Sequence, residues 1–485
     1  MQKPNVIVIM VDQMKATASH LYGNTFCHTP NLERMANDGV LYNTAFTPHP
    51  LCVPARVSLW TSQYSHTHGS RRNETLMSAD AVHAFKIWKE QGFRTGLIGK
   101  NHCFQGRDLD LFDVWCEIEH FGFPENAKTK GMDWVRPVED INRAHETRKN
   151  MPVLSPRLVC TTSDHPLENY STRLIADQTV KFLEENREKE FALWVSFPDP
   201  HPPYECPEKY AAMFPPEKIE LPPWSENEFK NAPERNKVLH SILGMEEDKH
   251  EDIIKVMGIY YGMVRFLDDE MGKILNALNN LGLKENTIVV FCADHGDFMG
   301  EHKMTAKGGV FYDCLTRIPL IISWPGHIPE GVRDDSLVNL IDIVPTLFAL
   351  QGINIPASMQ GSILSPMVGS ESKDAAFSEY GAGGPPFLLS DLEKLTKPYG
   401  RKTIAETLKW REAEGRRKMI RTRDWKYVHD SMGDKDELYD LKNDPWELKN
   451  LIDNVTYKDV VAELRLKLLD WCINTEDARP VPLPK

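Results

Sequence analysis

A cysteine and an arginine lie four residues apart in the segment Cys52-Val-Pro-Ala-Arg56. Pro54 is favoured in the first turn of a helix, so this segment predicts a helix that begins near Cys52 and continues to Thr61. Cys52 would lie at the helix N-terminus, where backbone N–H groups and the helix dipole stabilise an anion. Arg56 adds a permanent positive charge one turn later. A cysteine alone is usually a buried, unreactive thiol, so these two residues by themselves favour a structural thiol followed by a surface arginine.

Polar residues that could bind a metal or transfer protons also follow several predicted strands. Residues 5–11, 94–98, 191–197 and 287–293 predict strands, and the first is an apolar run typical of a parallel sheet covered on both faces. Ligands of open α/β sheets bind beyond the carboxyl ends of such strands. Each polar residue alone has an ordinary explanation, such as a helix N-cap or a solvated loop. Together they predict that one edge of the sheet gathers Asp12, Gln13, Lys100, His102, His201, Asp294 and His295.

Strands and helices alternate along most of the chain, which predicts an α/β fold with a doubly wound sheet. Further strands are expected at 40–46 and 319–323, and a hairpin at 418–422 and 426–429. Residues 103–165 are expected to be an irregular, substrate-side insertion, and residues 202–249 to be mostly loop. Helices are predicted at residues 30–38, 81–91, 170–185, 253–281, 342–350 and 458–474.

The sequence pattern loosens near residues 361–373, which predicts two units. Residues 1–370 would form a catalytic domain. Residues 371–485 would form a smaller C-terminal α+β subdomain with a small antiparallel sheet and a terminal helix.

Composition excludes several classes of partner. The 485 residues carry 57 basic and 70 acidic side chains, a formal charge of −13, which argues against nucleic acid or an anionic membrane as a partner. An anionic substrate would therefore need a local basic pocket. The nine cysteines show no CxxC spacing, so no zinc site or disulfide framework is predicted. The apolar run at residues 6–11 is too short for a signal sequence, which favours a cytoplasmic protein.

Cys-x-Pro-x-Arg resembles the signature of the type I sulfatases, a branch of the alkaline phosphatase superfamily. The resemblance implies a large mixed, mostly parallel sheet sandwiched by helices, as in alkaline phosphatase, and hydrolysis of sulfate esters. In this family a formylglycine-generating enzyme oxidises the cysteine to formylglycine, whose hydrated aldehyde is the nucleophile. Here Ala55 replaces the commonest residue, Ser. The resemblance extends to Gly99-Lys-Asn-His102, Pro200-His-Pro-Pro203, Ala293-Asp-His-Gly-Asp-Phe-Met-Gly-Glu-His302, Lys307 and Leu438-Tyr-Asp-Leu-Lys-Asn-Asp-Pro445.

The same resemblance implies a divalent cation bound by Asp12, Gln13, Asp294, His295 and the formylglycine at position 52. Gln13 stands where many members have a second Asp, and His295 where many have Asn. Oxygen ligands favour Ca²⁺ or Mg²⁺, whereas an imidazole is compatible with Mn²⁺. We expect Ca²⁺.

The remaining catalytic roles are also implied by the resemblance. Arg56, Lys100 and Lys307 would balance the charge of the nucleophile and of the sulfate oxygens. His201 and Lys307 would protonate or stabilise the leaving oxygen, and His102 would accept a proton from the second hydroxyl of the formylglycine hydrate. Supporting or rim positions are expected for His66, His68, Arg71, Arg72, Asn73, Glu301 and His302.

Three functions remain open at this stage. The first is hydrolysis of a small-molecule or sugar sulfate ester. The second is hydrolysis of a phosphonate monoester or phosphodiester, because formylglycine relatives with an Asp-His metal pair include such enzymes. The third is an unmodified protein that binds anionic sugars. Lys100 and His102 follow the sulfatase pattern and favour the first. The alcohol part of the substrate and the oligomeric state are not predicted.

Overall fold

An eight-stranded sheet forms the centre of the protein. The computed structural model describes residues 3–125, 129–151, 154–155, 160–244, 250–370, 373–397 and 399–476. Before the C-terminal subdomain, the strands are β1 (Asn5–Val11), β2 (Gly39–Tyr42), β3 (Ala45–Phe46), β4 (Arg94–Gly99), β5 (Val114–Glu117), β6 (Leu154–Ser155), β7 (Cys160–Ser163), β8 (Phe191–Phe197), β9 (Tyr204–Pro207), β10 (Thr287–Ala293), β11 (Phe298–Met299), β12 (Thr305–Ala306), β13 (Arg317–Ile318), β14 (Leu320–Ser323), β15 (Val332–Asp334) and β16 (Val338–Asn339).

The central sheet is mixed and mostly parallel, as the family resemblance implies. Its spatial order is β15-β2-β14-β10-β1-β8-β4-β5. The strands from β10 to β5 run parallel, whereas β14 is antiparallel to both of its neighbours. All seven residues of β1 are buried, because the strand lies in the middle of the sheet with both faces covered. The carboxyl ends of β1, β4, β8 and β10 therefore meet at one edge.

Helices flank this sheet. They are α1 (Pro30–Asn37), α2 (Cys52–Thr61), α3 (Ser65–His68), α4 (Ala84–Glu90), α5 (Val138–Asn150), α6 (Ser171–Asn186), α7 (Glu208–Ala211), α8 (Glu234–Leu243), α9 (His250–Asn280), α10 (Asp313–Thr316), α11 (Ile343–Leu350), α12 (Leu389–Leu392), α13 (Arg401–Ala413) and α14 (Lys458–Thr475). Among the described residues, no helix combines the length and apolar character that crossing a bilayer would need.

The two faces of the sheet are covered by different helices. Trp60 of α2 packs edge-on against Trp194 of β8, with ring centroids 5.1 Å apart. Phe182 of α6 packs beside Gly96 of β4 and close to Leu193, the residue before Trp194. Because successive strand residues face opposite sides, α2 and α6 lie on opposite faces. All ten residues of α2 are buried, so the helix that begins at Cys52 is held firmly by the core.

A second, antiparallel sheet forms the C-terminal subdomain. It contains β17 (Ala376–Tyr380), β19 (Arg417–Arg421), β20 (Trp425–Asp430) and β21 (Glu437–Asp440) in that order, while β18 (Tyr399–Gly400) pairs with β6. The hairpin of β19 and β20 confirms the predicted one. Helix α14 packs Leu464, Leu468 and Trp471 into a cluster with apolar residues of this sheet. The division at residue 370 stays a prediction, and residues 371–372 lie outside the described part.

The sequence prediction was wrong in one segment and left out short elements in another. Residues 103–165 were expected to be irregular, but β5 extends the central sheet there and α5 follows it. Helix α5 buries only a narrow stripe, including Ile141 and Ala144, within a strongly charged sequence, so its periodicity is weak. Residues 202–249 contain β9 and α8, and residues 245–249 lie outside the described part.

The predicted strand at 40–46 is also two strands. β2 belongs to the central sheet, whereas β3 pairs with β13 and β16. The other helices and strands predicted above are present, with ends that differ by a few residues.

Gly99, at the end of β4, illustrates how closely the strands approach beneath the site. Its φ is +108°, and a Cβ atom there would lie 1.9 Å from the carbonyl oxygen of Ser196. We expect Gly99→Ala to lower the free energy of unfolding by about 3 kcal/mol or more, because β8 must move. Gly92 is the matched control, since its φ is +86° but nothing lies within 4 Å. Gly92→Ala should cost about 1 kcal/mol. Denaturant unfolding measures both, and equal losses would contradict this account.

Candidate active site

Two buried carboxylates at the ends of neighbouring strands form the base of the site. Val11 and Ala293 are paired in the register of β1 and β10, so Asp12 and Asp294 follow side by side. Arg56, projecting from α2, lies 3.0 Å from the Oδ2 atom of each carboxylate. All three side chains are fully buried. The strand register and the helix position therefore create a closed ion-pair triad.

Almost all N–H donors of the Arg56 guanidinium form hydrogen bonds with other groups of the protein. Besides the two carboxylates, Nη1 donates to the carbonyl oxygen of Lys100 at 3.1 Å and to Oγ of Ser196 at 2.8 Å. Arginine has five N–H donors, so at most one is left for a ligand. Arg56 thus acts on the site mainly through the carboxylates that it holds.

Lys100 directly follows β4, and its side chain reaches the carboxylate of Asp12. Its ammonium donates to Oδ2 of Asp12, and both side chains are fully buried. Burial by itself would raise the pKa of Asp12, but the positive charges of Lys100 and Arg56 outweigh it and hold that pKa well below its usual value. Asp12 is therefore an anion at neutral pH.

The thiol of Cys52 lies above this base. Its Sγ atom is 3.5 Å from Oδ1 of Asp12, 3.2 Å from Nε2 of His295 and 3.0 Å from Nζ of Lys307. Nδ1 of His295 donates to the carbonyl oxygen of Gly296 at 2.9 Å, so Nε2 carries a lone pair toward the thiol. Position 52 is thus surrounded by groups that bind anions, protons or cations.

Four of these residues have the arrangement of a metal site. The potential ligand atoms of Asp12, Cys52, Asp294 and His295 all lie within 4.8 Å of one another, and all four residues are buried. The Oδ2 atoms of both carboxylates are engaged by Arg56, which leaves the Oδ1 atoms on the side of the cluster. Two carboxylate oxygens and an imidazole nitrogen suit a divalent cation.

Gln13 lies beside this cluster in an uncommon backbone conformation, with φ of 65°. Its backbone N–H donates to Oδ1 of Asp294 at 3.0 Å. Its buried amide oxygen and nitrogen have no hydrogen bond of good geometry to a described residue, although the neighbouring Asp297 carboxyl is close. An unsatisfied buried amide oxygen fits a further ligand of a cation.

A stacked pair of histidines forms the other side of the site. The rings of His120 and His201 lie 3.8 Å apart, and Asp12 is near both. Nδ1 of His201 donates to the carbonyl oxygen of Pro202 at 2.5 Å, which leaves the ring's lone pair on Nε2. Nε2 of His120 lies 2.6 Å from the ammonium of Lys100 and must accept from it, because an ammonium only donates. Burial lowers the pKa of both imidazoles well below 6.5, so both are neutral.

His102 contacts Glu119 and His120 in the described part of the structure. Its Nε2 is 3.5 Å from Oε1 of Glu119, and its ring centroid is 6.2 Å from that of His120. Among the described contacts it has none with Cys52. Its predicted role as a base stays a prediction.

The predicted rim residues serve different structural purposes. His66 contacts Glu379 and Thr475, His68 accepts or donates a bond with Ser58, and Arg71 pairs with Glu379. Glu301 pairs with Lys15 at 2.5 Å, and His302 bonds Glu228. Arg72 pairs with Glu74, and Asn73 bonds Val53, the residue after Cys52.

Sequence reasoning missed two residues near the site. His120 lies in the segment that was expected to be irregular, and Glu412 belongs to the C-terminal subdomain and bonds Asn73. Neither follows a recognisable motif. The only available signal for His120 was its position just beyond Glu117, the last residue of β5, at the same edge of the sheet.

Comparison with known proteins bears on this arrangement. A sequence model described as Sulfatase matches residues 4–353. The chain belongs to the sulfatase family. A second model, N-sulphoglucosamine sulphohydrolase, C-terminal, matches residues 408–473. The family hydrolyses sulfuric esters, and this chain is therefore a sulfuric ester hydrolase.

Individual relatives cover nearly the whole chain. The sulfatase is 28% identical to an arylsulfatase of Clostridium perfringens over 96% of this chain and 94% of that protein. It is 24% identical to an N-acetylglucosamine-6-O-sulfatase of Bacteroides thetaiotaomicron over 97% of this chain and 86% of that protein. Its fold resembles a phosphonate monoester hydrolase of Agrobacterium radiobacter, with a TM-score of 0.75, 25% identity and coverage of 98% and 96%.

Asp294→Asn tests whether this carboxylate both anchors Arg56 and binds a metal. We expect the free energy of unfolding to fall by about 3 kcal/mol, since Arg56 loses half of a fully buried ion pair. We also expect a large loss of divalent-cation affinity in equilibrium titrations.

Asp297→Asn is the control, because burial raises the pKa of Asp297 to about 7 and an amide there resembles the protonated acid. At pH 6 it should cost less than about 1 kcal/mol. Equal stability of both variants would contradict the ion-pair account.

Proposed function

We propose that this sulfatase hydrolyses a sulfate monoester through a formylglycine made from Cys52. The supporting observation is the position of the Cys52 side chain, within 3.5 Å of Asp12, His295 and Lys307 at the start of a buried helix. Sγ marks the place that the oxygen atoms of a hydrated formylglycine would take. A formylglycine-generating enzyme would be required during maturation.

In the first step, one hydroxyl oxygen of the hydrate attacks the sulfur of the ester. The bond between sulfur and the alcohol oxygen breaks, and the SO3 group is transferred to the hydroxyl oxygen, which leaves a sulfate ester on the chain. Lys307, 3.0 Å from the thiol in the structure, would stabilise the anionic nucleophile and the sulfate oxygens. The attacking hydroxyl would release its proton to solvent. His201, whose Nε2 atom carries a lone pair, would take up one proton from solvent as the substrate binds and pass it to the leaving alcohol oxygen.

In the second step, the remaining hydroxyl loses its proton and the aldehyde forms again. The bond between carbon and the sulfate oxygen breaks, which releases inorganic sulfate, and water then hydrates the aldehyde. His102 is the predicted base. Splitting one displacement into two steps is the general advantage of covalent catalysis.

Asp12, Gln13, Asp294, His295 and residue 52 would hold one divalent cation. We propose Ca²⁺, because most of these ligands are oxygen atoms, with Mg²⁺ or Mn²⁺ as the alternatives. When bound, such a cation would lower the pKa of a coordinated hydroxyl and polarise the sulfate. The protein's own contribution is to orient the two carboxylates through Arg56 and to add the charge of Lys100 beside Asp12.

For the alcohol part of the substrate, we propose a sugar or a similar small molecule. The relatives include the N-acetylglucosamine-6-O-sulfatase, and a solved structure in complex with its substrate D-glucosamine-2-N,6-O-disulfate has a TM-score of 0.73 at 21% identity, with 99% of both chains covered. The expected cytoplasmic location stays a prediction.

Hydrolysis of a phosphonate monoester is the second candidate. The resemblance to the phosphonate monoester hydrolase supports it, as does the Asp294-His295 pair. Lys100 and the stacked rings of His120 and His201 stand against it, because they occupy the space beside Asp12. A phosphorus diester or phosphonate monoester needs room for a second organic group on the central atom.

Conversion of Cys52 is the first test. Protein produced with a formylglycine-generating enzyme should yield a peptide around position 52 with the mass of formylglycine, and Cys52→Ala should be inactive. The peptide containing the buried Cys292 is the internal control and should keep the mass of cysteine. A fully retained thiol in active protein would disprove the proposed mechanism.

Substrate selection is the second test. An aryl sulfate should have a kcat/KM at least about tenfold above that of the matching aryl phosphonate monoester, or about 1.4 kcal/mol in transition-state binding. Both substrates must be measured on one fully converted preparation, with Cys52→Ala as the blank. A higher kcat/KM for the phosphonate would replace the sulfatase proposal with the second candidate.

A further inference from the structure

The helix that carries Cys52 lacks an N-cap of its own. Leu51 occupies the N-cap position of α2, and its side chain has no oxygen to accept a hydrogen bond. Pro54 has no N–H, so Cys52 and Val53 supply the unpaired donors of the first turn. The N–H of Val53 instead donates to Oδ1 of Asn73, at 3.1 Å. Asn73 thus replaces the missing cap from a distant position in the sequence.

Asn73 is itself held by a residue of the C-terminal subdomain. Glu412, on α13, accepts from the backbone N–H of Asn73 at 3.0 Å and from its Nδ2 atom at 2.8 Å. The two bonds use both carboxylate oxygens. Because a carboxylate only accepts and the Val53 N–H only donates, the amide of Asn73 can have one orientation only. A continuous chain of directed hydrogen bonds therefore runs from Glu412 to the residue after Cys52.

Glu412 is buried near the active site, which supports a role in the site. Its side chain is buried, and burial raises its pKa, although Asn73 and the charges of Lys307 and Arg72 counteract this. Lys307 is the residue whose ammonium lies 3.0 Å from Cys52. A neighbouring ion pair joins Lys409 of α13 to Glu74 at 2.8 Å. The end of α13 is therefore attached to residues 73–74 at two points.

We propose that Glu412 is a positioning residue for the nucleophile, through which the C-terminal subdomain completes the active site. Glu412 orients Asn73, and Asn73 holds the first turn of α2 so that residue 52 faces Asp12, His295 and Lys307. The catalytic consequence rests on the proposed function of residue 52 as the nucleophile. The hydrogen-bond chain itself does not depend on it.

The direction of each hydrogen bond allows a sharp test. In Asn73→Asp, two carboxylates face each other and repel. In Glu412→Gln, one amide N–H must face another N–H, whichever way the amide turns. The double variant reverses donor and acceptor. The carboxylate introduced at position 73 would accept from both Val53 and the amide introduced at position 412, and the oxygen of that amide would accept from the backbone N–H at position 73. Every bond is then restored.

We expect each single variant to lower kcat at least about tenfold, with a smaller change in KM, and the double variant to recover kcat to within about threefold of wild type. Rates are divided by the fraction of formylglycine at position 52, measured by peptide mass. Glu406→Gln, at an exposed position of α13, should leave kcat unchanged. Leu468→Ala, in the core of the C-terminal subdomain, should lower Tm without lowering kcat at 25 °C.

The inference is overturned if either single variant keeps more than half of the wild-type kcat. It is also overturned if the double variant is no better than the singles, or if Leu468→Ala reduces kcat as strongly as they do. Failure of the proposed function is recognised separately, because Cys52→Ala would then retain the activity of the wild type.

Discussion

The burial of Asp12 and Asp294 around Arg56 is the constraint on which the rest of the site depends. Moving two carboxylates out of water costs several kcal/mol for each ion, and only well-directed partners offset that cost. Here each Oδ2 atom contacts the guanidinium at 3.0 Å, and Oδ1 of Asp294 accepts two backbone N–H bonds. The remaining Oδ1 atom of Asp12 faces the thiol. The orientation of both carboxylates is therefore set before any ligand arrives, which is the condition for electrostatic preorganisation.

Much of this could be predicted from the sequence for a physical reason. A strand buried on both faces must be apolar throughout, so β1 and β10 are visible as apolar runs and their polar successors, Asp12 and Asp294, stand out. Pro54 marks the start of α2 in the same way. The parallel direction of the strands then brings these residues to one edge. Local sequence rules were sufficient to predict a functional residue wherever that residue lies directly at the end of a strand or at the start of a helix.

The sequence could not predict contacts that depend on packing between distant segments. His120 reaches Lys100 because β5 pairs with β4, and the charged sequence around β5 and α5 hides both elements. The motif around Lys100 points to His102 instead, which in the structure faces Glu119. Glu412 lies more than three hundred residues from Asn73, in a helix whose composition shows no functional pattern. Such pairings are set by tertiary structure, and no local propensity reports them.

The balance of charge within the site explains how an acidic protein can bind an anionic ester. The whole chain carries −13, but the charged side chains in direct contact with Cys52, Asp12 or Asp294 are the three cations Arg56, Lys100 and Lys307, and together with the two carboxylates they sum to 3 − 2 = +1. His120 and His201 are neutral and add nothing to this sum. Because these groups are buried, solvent and salt screen their mutual interactions far less than they screen the acidic surface. A sulfate monoester, with a single negative charge, therefore meets cationic side chains at position 52, although the protein as a whole is acidic. The acidic surface limits non-specific association, and the buried excess of positive charge supplies selectivity for anions at the point of reaction.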